Sequence, residues 1–145
     1  MRTRPVLLTA AALLVTASTA PAARSAVPTR LVGMWRKTMT DSTWRKNGIA
    51  DEPGGHWAIS IARTGAVGLF APLPPLLTGE PVRFTTMRAA VYGASIVFGA
   101  TVDGACPSRG TYTWNVAGKR LALRVVKDGC SRRRVLLTAG TWART

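Results

Sequence analysis

Residues 110–126 read GTYTWNVAGKRLALRVV, and their alternation decides the fold. Tyr112, Trp114 and Val116 fall on one face of an extended chain, with Thr111, Thr113 and Asn115 on the other. Ala117-Gly118 reverses the direction. Leu121, Leu123 and Val125 then return as an inward row, with Arg120, Ala122 and Arg124 outward. Period-two patterning on both sides of a Gly-containing turn predicts a β-hairpin with one buried and one wetted face.

The same texture extends outward from that hairpin. His56–Arg63 sets Trp57, Ile59 and Ile61 against Ala58, Ser60 and Ala62, and Thr64-Gly65 turns the chain into Val67–Ala71. Leu31–Thr40 reads as the first strand. Asp41–Gly55 reads as a long polar loop with room for a short turn of helix. Pro72–Pro81 is too proline-rich for a central strand and is expected to be a loop at one end of the fold. Val82–Arg88 is expected to put Val82, Phe84 and Thr86 on one side. Ile96–Val102 does the same with Ile96, Phe98, Ala100 and Val102, and Val135–Arg144 is expected to be the last strand. About eight strands joined in sequence order can hide their edges only by closing on themselves. The expectation is therefore an all-β chain, a single eight-stranded up-and-down antiparallel β-barrel over residues 31–145. A barrel of that size encloses a packed core or one small ligand.

Ahead of the barrel, residues 1–22 have the parts of a secretory signal peptide. Arg2 and Arg4 are the positive start, Val6 to about Thr16 the apolar stretch, and Ala20-Pro21-Ala22 the cleavage pattern. Residues 23–30 read as a flexible N-terminal lead. This predicts a secreted or cell-envelope location, with no transmembrane segment in the mature form.

The 145 residues carry a net charge of +14, with 20 Lys and Arg against six acids. Removing residues 1–22 takes away Arg2 and Arg4 and no acid, so the basicity belongs mainly to the domain. One His and two Cys exclude a Cys₄, Cys₂His₂ or two-histidine metal site within one chain. His56, near Asp51 and Glu52, reads as a solvated residue rather than a ligand. The acids sit mostly in turns, where Asp caps the backbone. There is no nucleophile-elbow G-x-S-x-G and no Gly-rich phosphate loop. No catalytic residue, metal or cofactor is assigned, and nothing in the sequence requires an enzyme.

Cys106 and Cys130 are the only cysteines, and an even count in an exported chain predicts a disulfide. Each lies twelve residues from Gly118, so the hairpin brings both to the same end of the barrel. Closing a loop of about 25 residues stabilises by roughly 3.5 kcal/mol in the chain-entropy description.

Gly33-Met34-Trp35 on the first strand is similar to the G-x-W of lipocalins and the wider calycin group. The C-terminal part resembles small secreted bacterial lipocalin-like domains: Gly110, Tyr112 and Trp114, then Leu121 and Leu123, then Asp128, Cys130 and Arg133, then Gly140 to Trp142. The resemblance covers about residues 30–145. It implies that Trp35 plugs the closed end of the barrel and that Arg144, at the end of the last strand, lies across it.

Two functional readings follow. In the first, the inward row Trp57, Ile59, Phe84, Phe98, Tyr112, Trp114 and Leu123 lines a cavity for a small apolar molecule, in a secreted, non-enzymatic lipocalin-like barrel. Ordinary core packing explains the same row, and alternation does not separate the two. In the second, Arg120, Arg124, Lys127, Arg132, Arg133 and Arg134 merge into one basic outer patch. Such a patch attracts anionic polymers, lipids or an acidic protein partner of the cell envelope. A solvated surface that keeps the protein soluble would look the same. No specific nucleic-acid partner is expected.

Overall fold

A computed structural model describes residues 26–73 and 79–145. The leader and residues 23–25 of the N-terminal lead lie outside the described residues; of the rest of the lead, Val27 is buried. Eight strands run in order around a closed antiparallel barrel: β1 (Gly33–Met39), β2 (Gly55–Ile61), β3 (Ala66–Ala71), β4 (Val82–Tyr92), β5 (Ser95–Phe98), β6 (Gly110–Ala117), β7 (Arg120–Asp128) and β8 (Trp142–Arg144). Helix α1 (Asp41–Lys46) follows β1, and α2 (Ser131–Thr138) lies between β7 and β8. Closure is made where β1 meets β8, with Trp35 opposite Arg144. The up-and-down barrel is as the alternation predicted.

The hairpin turns at 62–65, 92–95 and 117–120 lie at one end, with Trp35 and residues 27–32; this is the closed end. Met39, α1, the start of β2, the loop after Phe98 and α2 gather at the other end, the mouth. The interior is filled. Trp35, Ile59, Ile96, Phe98, Tyr112, Leu121, Leu137 and Trp142 are wholly inaccessible to solvent. Burying this much apolar surface is the main drive for closing the barrel.

The structure corrects four readings of the strands. Val135–Arg144 is not one strand: residues 131–138 are helical, and only Trp142–Arg144 pairs into the sheet. Val135, Leu136 and Leu137 are buried consecutively, which an alternating half-buried strand would not allow. A helix set into the barrel mouth does allow it. A short apolar run fits helix or strand equally by pattern.

On β4 the phase is opposite to that expected. Leu69 pairs with Thr85 but Phe70 with Arg83, so Phe84 is the extra residue of a β-bulge. Thr85 and Met87 are buried, while Val82 and Phe84 are exposed. Strand β5 ends at Phe98, and Val102, expected inward, is 81% exposed in the following loop. On β7 a second bulge sets Tyr112 opposite Val125 but Thr111 opposite Lys127. It leaves Val125 exposed at the rim and turns Asp128 inward opposite Gly110.

Candidate binding site at the barrel mouth

Helix α2 is seated by charge. Asp128 ends β7, and one of its carboxylate oxygens accepts from the Cys130 N–H at 2.8 Å, where the helix begins. Arg133, one turn into the helix, grips the same carboxylate through Nε at 2.7 Å and Nη2 at 2.9 Å. Its remaining donors reach Gly99 O at 2.6 Å and Ser108 O at 2.8 Å. The Tyr112 hydroxyl donates to Asp128 as well. The side chains of Asp128 and Arg133 are both fully buried. Burial alone would raise the Asp128 carboxyl, but the hydrogen bonds from Arg133, Tyr112 and Cys130 outweigh it and hold it below the usual range. Burial and the Asp128 contact push the Tyr112 phenol far above its ordinary value. Gly110 leaves room for the pair, since a Cβ there would stand 2.3 Å from Asp128 Oδ2.

The disulfide joins Cys106 to Cys130 with the Cα atoms 5.4 Å apart. It ties the loop after β5 to the first residue before α2. Inside that loop Thr101 is buried, its hydroxyl accepts from the Cys106 N–H at 2.9 Å, and Asp103 accepts from the Ala105 N–H at 3.1 Å. On the facing side, Thr40 caps α1 by accepting from the Thr43 N–H at 3.1 Å. Trp44 of α1 packs on Trp57 at 5.5 Å between ring centres, and both indole N–H groups donate to Pro53 O.

Between these two walls lies a cavity of about 220 Å³. Its apolar lining comes from Trp44, Trp57, Leu69, Ala71, Phe84 and Leu136, and Phe84 stands edge-on to Trp57 at 5.7 Å. Its polar lining comes from Thr85, Thr101, Asp103, Glu52, Arg132 and Arg133. Arg132 is paired with Glu52 at 3.2 Å. Thr85 Oγ1 is buried without a hydrogen-bond partner among the described residues. Burial would raise the Asp103 carboxyl, but hydrogen bonding, from the Thr101 hydroxyl and the Ala105 N–H first, outweighs it and holds it below the usual range.

Of the expected lining row, only Trp57 and Phe84 reach this cavity. Phe84 does so from the rim, 44% exposed on its bulge, and not from the barrel interior. Ile59, Phe98, Tyr112 and Leu123 are packed core, and Phe98 meets Tyr112 edge-on at 5.6 Å. Trp114 is buried with the Arg30 guanidinium 4.4 Å over its ring.

The expected basic patch also changes. Arg120, Arg124, Lys127, Arg132 and Arg134 are exposed, but Arg133 is not a surface residue at all. The helical turn after Cys130 swings it inward to Asp128. Arg132 faces the mouth, leaving Arg120, Arg124 and Lys127 along the outside of β7. His56 is exposed, with Nδ1 3.1 Å from Thr38 Oγ1.

At the closed end the Arg144 guanidinium lies 4.3 Å over the Trp35 ring and donates to Val32 O at 2.8 Å and to Arg30 O. The Trp35 indole N–H donates to Leu31 O at 2.9 Å. Gly33 has φ +139°, and a Cβ there would meet Arg144 Nη1 at 3.0 Å. The glycine of G-x-W is thus the clearance that the arginine needs.

The sequence does not single out Lys37, Thr85 or Trp44 as parts of a site, and it marks Asp128 and Arg133 through the resemblance, and Arg133 through the basic patch, without pairing them. Lys37 was within reach: it shares the inward phase of β1 with Trp35 and Met39. Its ammonium donates to Leu136 O and, at 2.9 Å, to Ala139 O, the free carbonyls at the end of α2, and lies 4.3 Å from the Trp142 ring. Burial pushes its pKa down to about 7.

Fold and site together define a small closed antiparallel barrel with a filled interior and a helix-capped mouth that bears a side pocket. The architecture is compatible with a calycin-like fold. No protein-family model matches the chain, and no similar curated protein or solved structure is found.

Proposed function

We propose that this is an exported, non-enzymatic, lipocalin-like binding protein that takes a small, mostly apolar molecule at the barrel mouth rather than inside the barrel. The observation that carries the reading is the 220 Å³ cavity walled by Trp44, Trp57, Phe84, Leu69 and Leu136, next to an interior filled by the protein's own side chains. Concave, aromatic-walled sites with a few convergent polar groups are where small ligands bind. An apolar cavity of about 150 Å³ already accommodates benzene, so the space suits one ring with a short arm. Export rests on the leader-like residues 1–22 and on the disulfide, which persists in oxidising compartments.

Native mass spectrometry of protein purified from its own culture medium tests this reading. The expected result is a co-purifying small molecule that is lost when Ala71→Trp fills the pocket. Retention of that molecule by Ala71→Trp would place binding elsewhere. Absence of any bound molecule, with no change of Trp fluorescence across a panel of small aromatics, would reject the reading.

A second reading has one observation in its favour. Arg120, Arg124 and Lys127 are exposed along one strand, and none has an ion-pair partner among the described residues. A strip of this kind attracts anionic envelope polymers or lipids, with affinity that falls steeply as salt is added. Retention on an anionic resin that is unchanged in the Arg120→Gln, Arg124→Gln, Lys127→Gln triple variant would remove it.

A further inference from the structure

The polar side of the mouth pocket is asymmetric. Both arginines that line it are committed, Arg132 to Glu52 and Arg133 to Asp128. Asp103 is the one lining carboxylate with no cationic partner among the described residues. It is held at the rim by the disulfide-tied turn, where its side chain accepts from the Ala105 N–H. Thr85, 93% buried, lines the same space, and its Oγ1 has no hydrogen-bond partner among the described residues. A buried hydroxyl left unpaired costs free energy that a ligand can recover. An anionic ligand would meet arginines already neutralised and a carboxylate that repels it.

We propose that the pocket selects a small aromatic amine, with the ring against Trp44, Trp57 and Phe84 and the protonated amine between Thr85 Oγ1 and the Asp103 carboxylate. The inference rests on the mouth-pocket reading above and names its ligand class. Aromatic faces favour a cation held beside them, and a carboxylate with a hydroxyl supplies the acceptors that an ammonium needs. The ammonium carries three donors and no acceptor, so it can satisfy both oxygens at once.

Calorimetric titration at neutral pH with 2-phenylethylamine, 2-phenylethanol and 3-phenylpropionate tests it. These probes share the ring and differ in the charge of the arm. The amine is expected to bind at least tenfold tighter than the carboxylate. Asp103→Asn, at an exposed position, is expected to weaken the amine about fivefold and leave the alcohol unchanged. Thr85→Val keeps the shape and is expected to weaken both amine and alcohol about tenfold. Equal binding of all three probes, or an amine affinity indifferent to both substitutions, overturns the amine assignment and leaves the pocket standing. Binding of none of the three, together with no co-purifying molecule, overturns the pocket reading itself.

Discussion

The two ends of the barrel are each held by an arginine, and the two arginines work by different physics. At the closed end Arg144 lies across Trp35, half-exposed, and its donors go to backbone carbonyls of residues 30 and 32. At the mouth Arg133 is fully buried and spends every donor group on Asp128, Gly99 O and Ser108 O. The first contact is packing with a charge on top. The second is a charge pair for which water no longer competes. The difference decides what removal does. Taking Arg144 away leaves an indole with less cover. Taking Arg133 away leaves a buried carboxylate without its countercharge, held only by Tyr112 and the Cys130 N–H, and strips the Gly99 and Ser108 carbonyls of that donor.

The largest expected effect is therefore at the mouth. Arg133→Ala should lower stability by roughly 3–5 kcal/mol, the range for breaking a buried pair from one side. Arg133→Lys should recover only part of that, because an ammonium cannot make the fork that grips both Asp128 oxygens. Urea unfolding with matched slopes measures both. A loss below about 1 kcal/mol for Arg133→Ala would mean that the mouth, like the closed end, is held by packing. The same pair sets the acid limb. The Asp128 carboxyl is depressed in the folded state, so its contribution is present above the unfolded value near 3.9 and fades as pH falls below it.

The disulfide is the second support of the mouth and has no counterpart at the closed end. The joint substitution Cys106→Ser, Cys130→Ser should cost about 3 kcal/mol by the loop-closure argument. The loss should fall first on the pocket wall, since Thr101, Asp103 and Ala105 lie in the tied loop. Thermal unfolding reads the global effect, and Trp44 and Trp57 fluorescence reads the local one. A variant with unaltered fluorescence and unaltered midpoint would show that α2 is seated by Asp128–Arg133 alone.

The closed end was far easier to read from the sequence than the mouth, and the reason is physical. The closed end is made of uninterrupted strands and short hairpins, where the side-chain period of two holds and Gly33-x-Trp35 stands in phase. The mouth is made where that period breaks. A bulge at Phe84 reverses β4, a bulge opposite Tyr112 brings Asp128 inward, and a helix replaces the expected strand. A single inserted residue exchanges the two faces of a strand, so plain alternation puts Phe84 inside, where Thr85 is the residue found buried. Arg133 was read as surface because it sits in a basic triplet. The local signal against this was Asp128 two residues before the helix cap, offering a carboxylate to a side chain one turn on.

Lys37 spans the comparison, since it lies on β1 of the closed-end strand pair yet caps the mouth helix. Its folded pKa near 7 lies below the value of about 10.4 in an unfolded chain. Between these values the unfolded chain binds more protons than the folded one, so stability rises with pH across that interval and is lost as pH falls back through 7. The expected gain is on the order of 1–3 kcal/mol. Above about pH 10 the sign reverses, because the unfolded Tyr112 ionises while the folded one does not. Lys37→Met should flatten the rise and leave the high-pH fall. Urea midpoints at pH 6.5, 8 and 9.5 for both proteins check it. A wild-type midpoint that stays level over that range would show that the α2 carbonyls keep Lys37 charged at full strength.

The smallest effect belongs to Arg144. A guanidinium over an indole contributes roughly 0.5–2 kcal/mol according to how far it is desolvated, and this one is only partly covered. Arg144→Ala should therefore cost about 1 kcal/mol, against roughly 3–5 kcal/mol for Trp35→Ala, whose ring is wholly buried. Arg144→Lys should fall near Arg144→Ala, because the flat face that covers Trp35 and the paired donors to Val32 O and Arg30 O are lost together. Gly33→Ala should cost as much as Arg144→Ala or more, since it adds a strained φ to a Cβ 3.0 Å from the guanidinium. Combining Gly33→Ala with Arg144→Ala should recover part of the loss, because the clash then has no partner. Full additivity in that double variant would mean that Gly33 serves its backbone angle alone. An Arg144→Ala loss matching that of Arg133→Ala would abolish the distinction between the two ends.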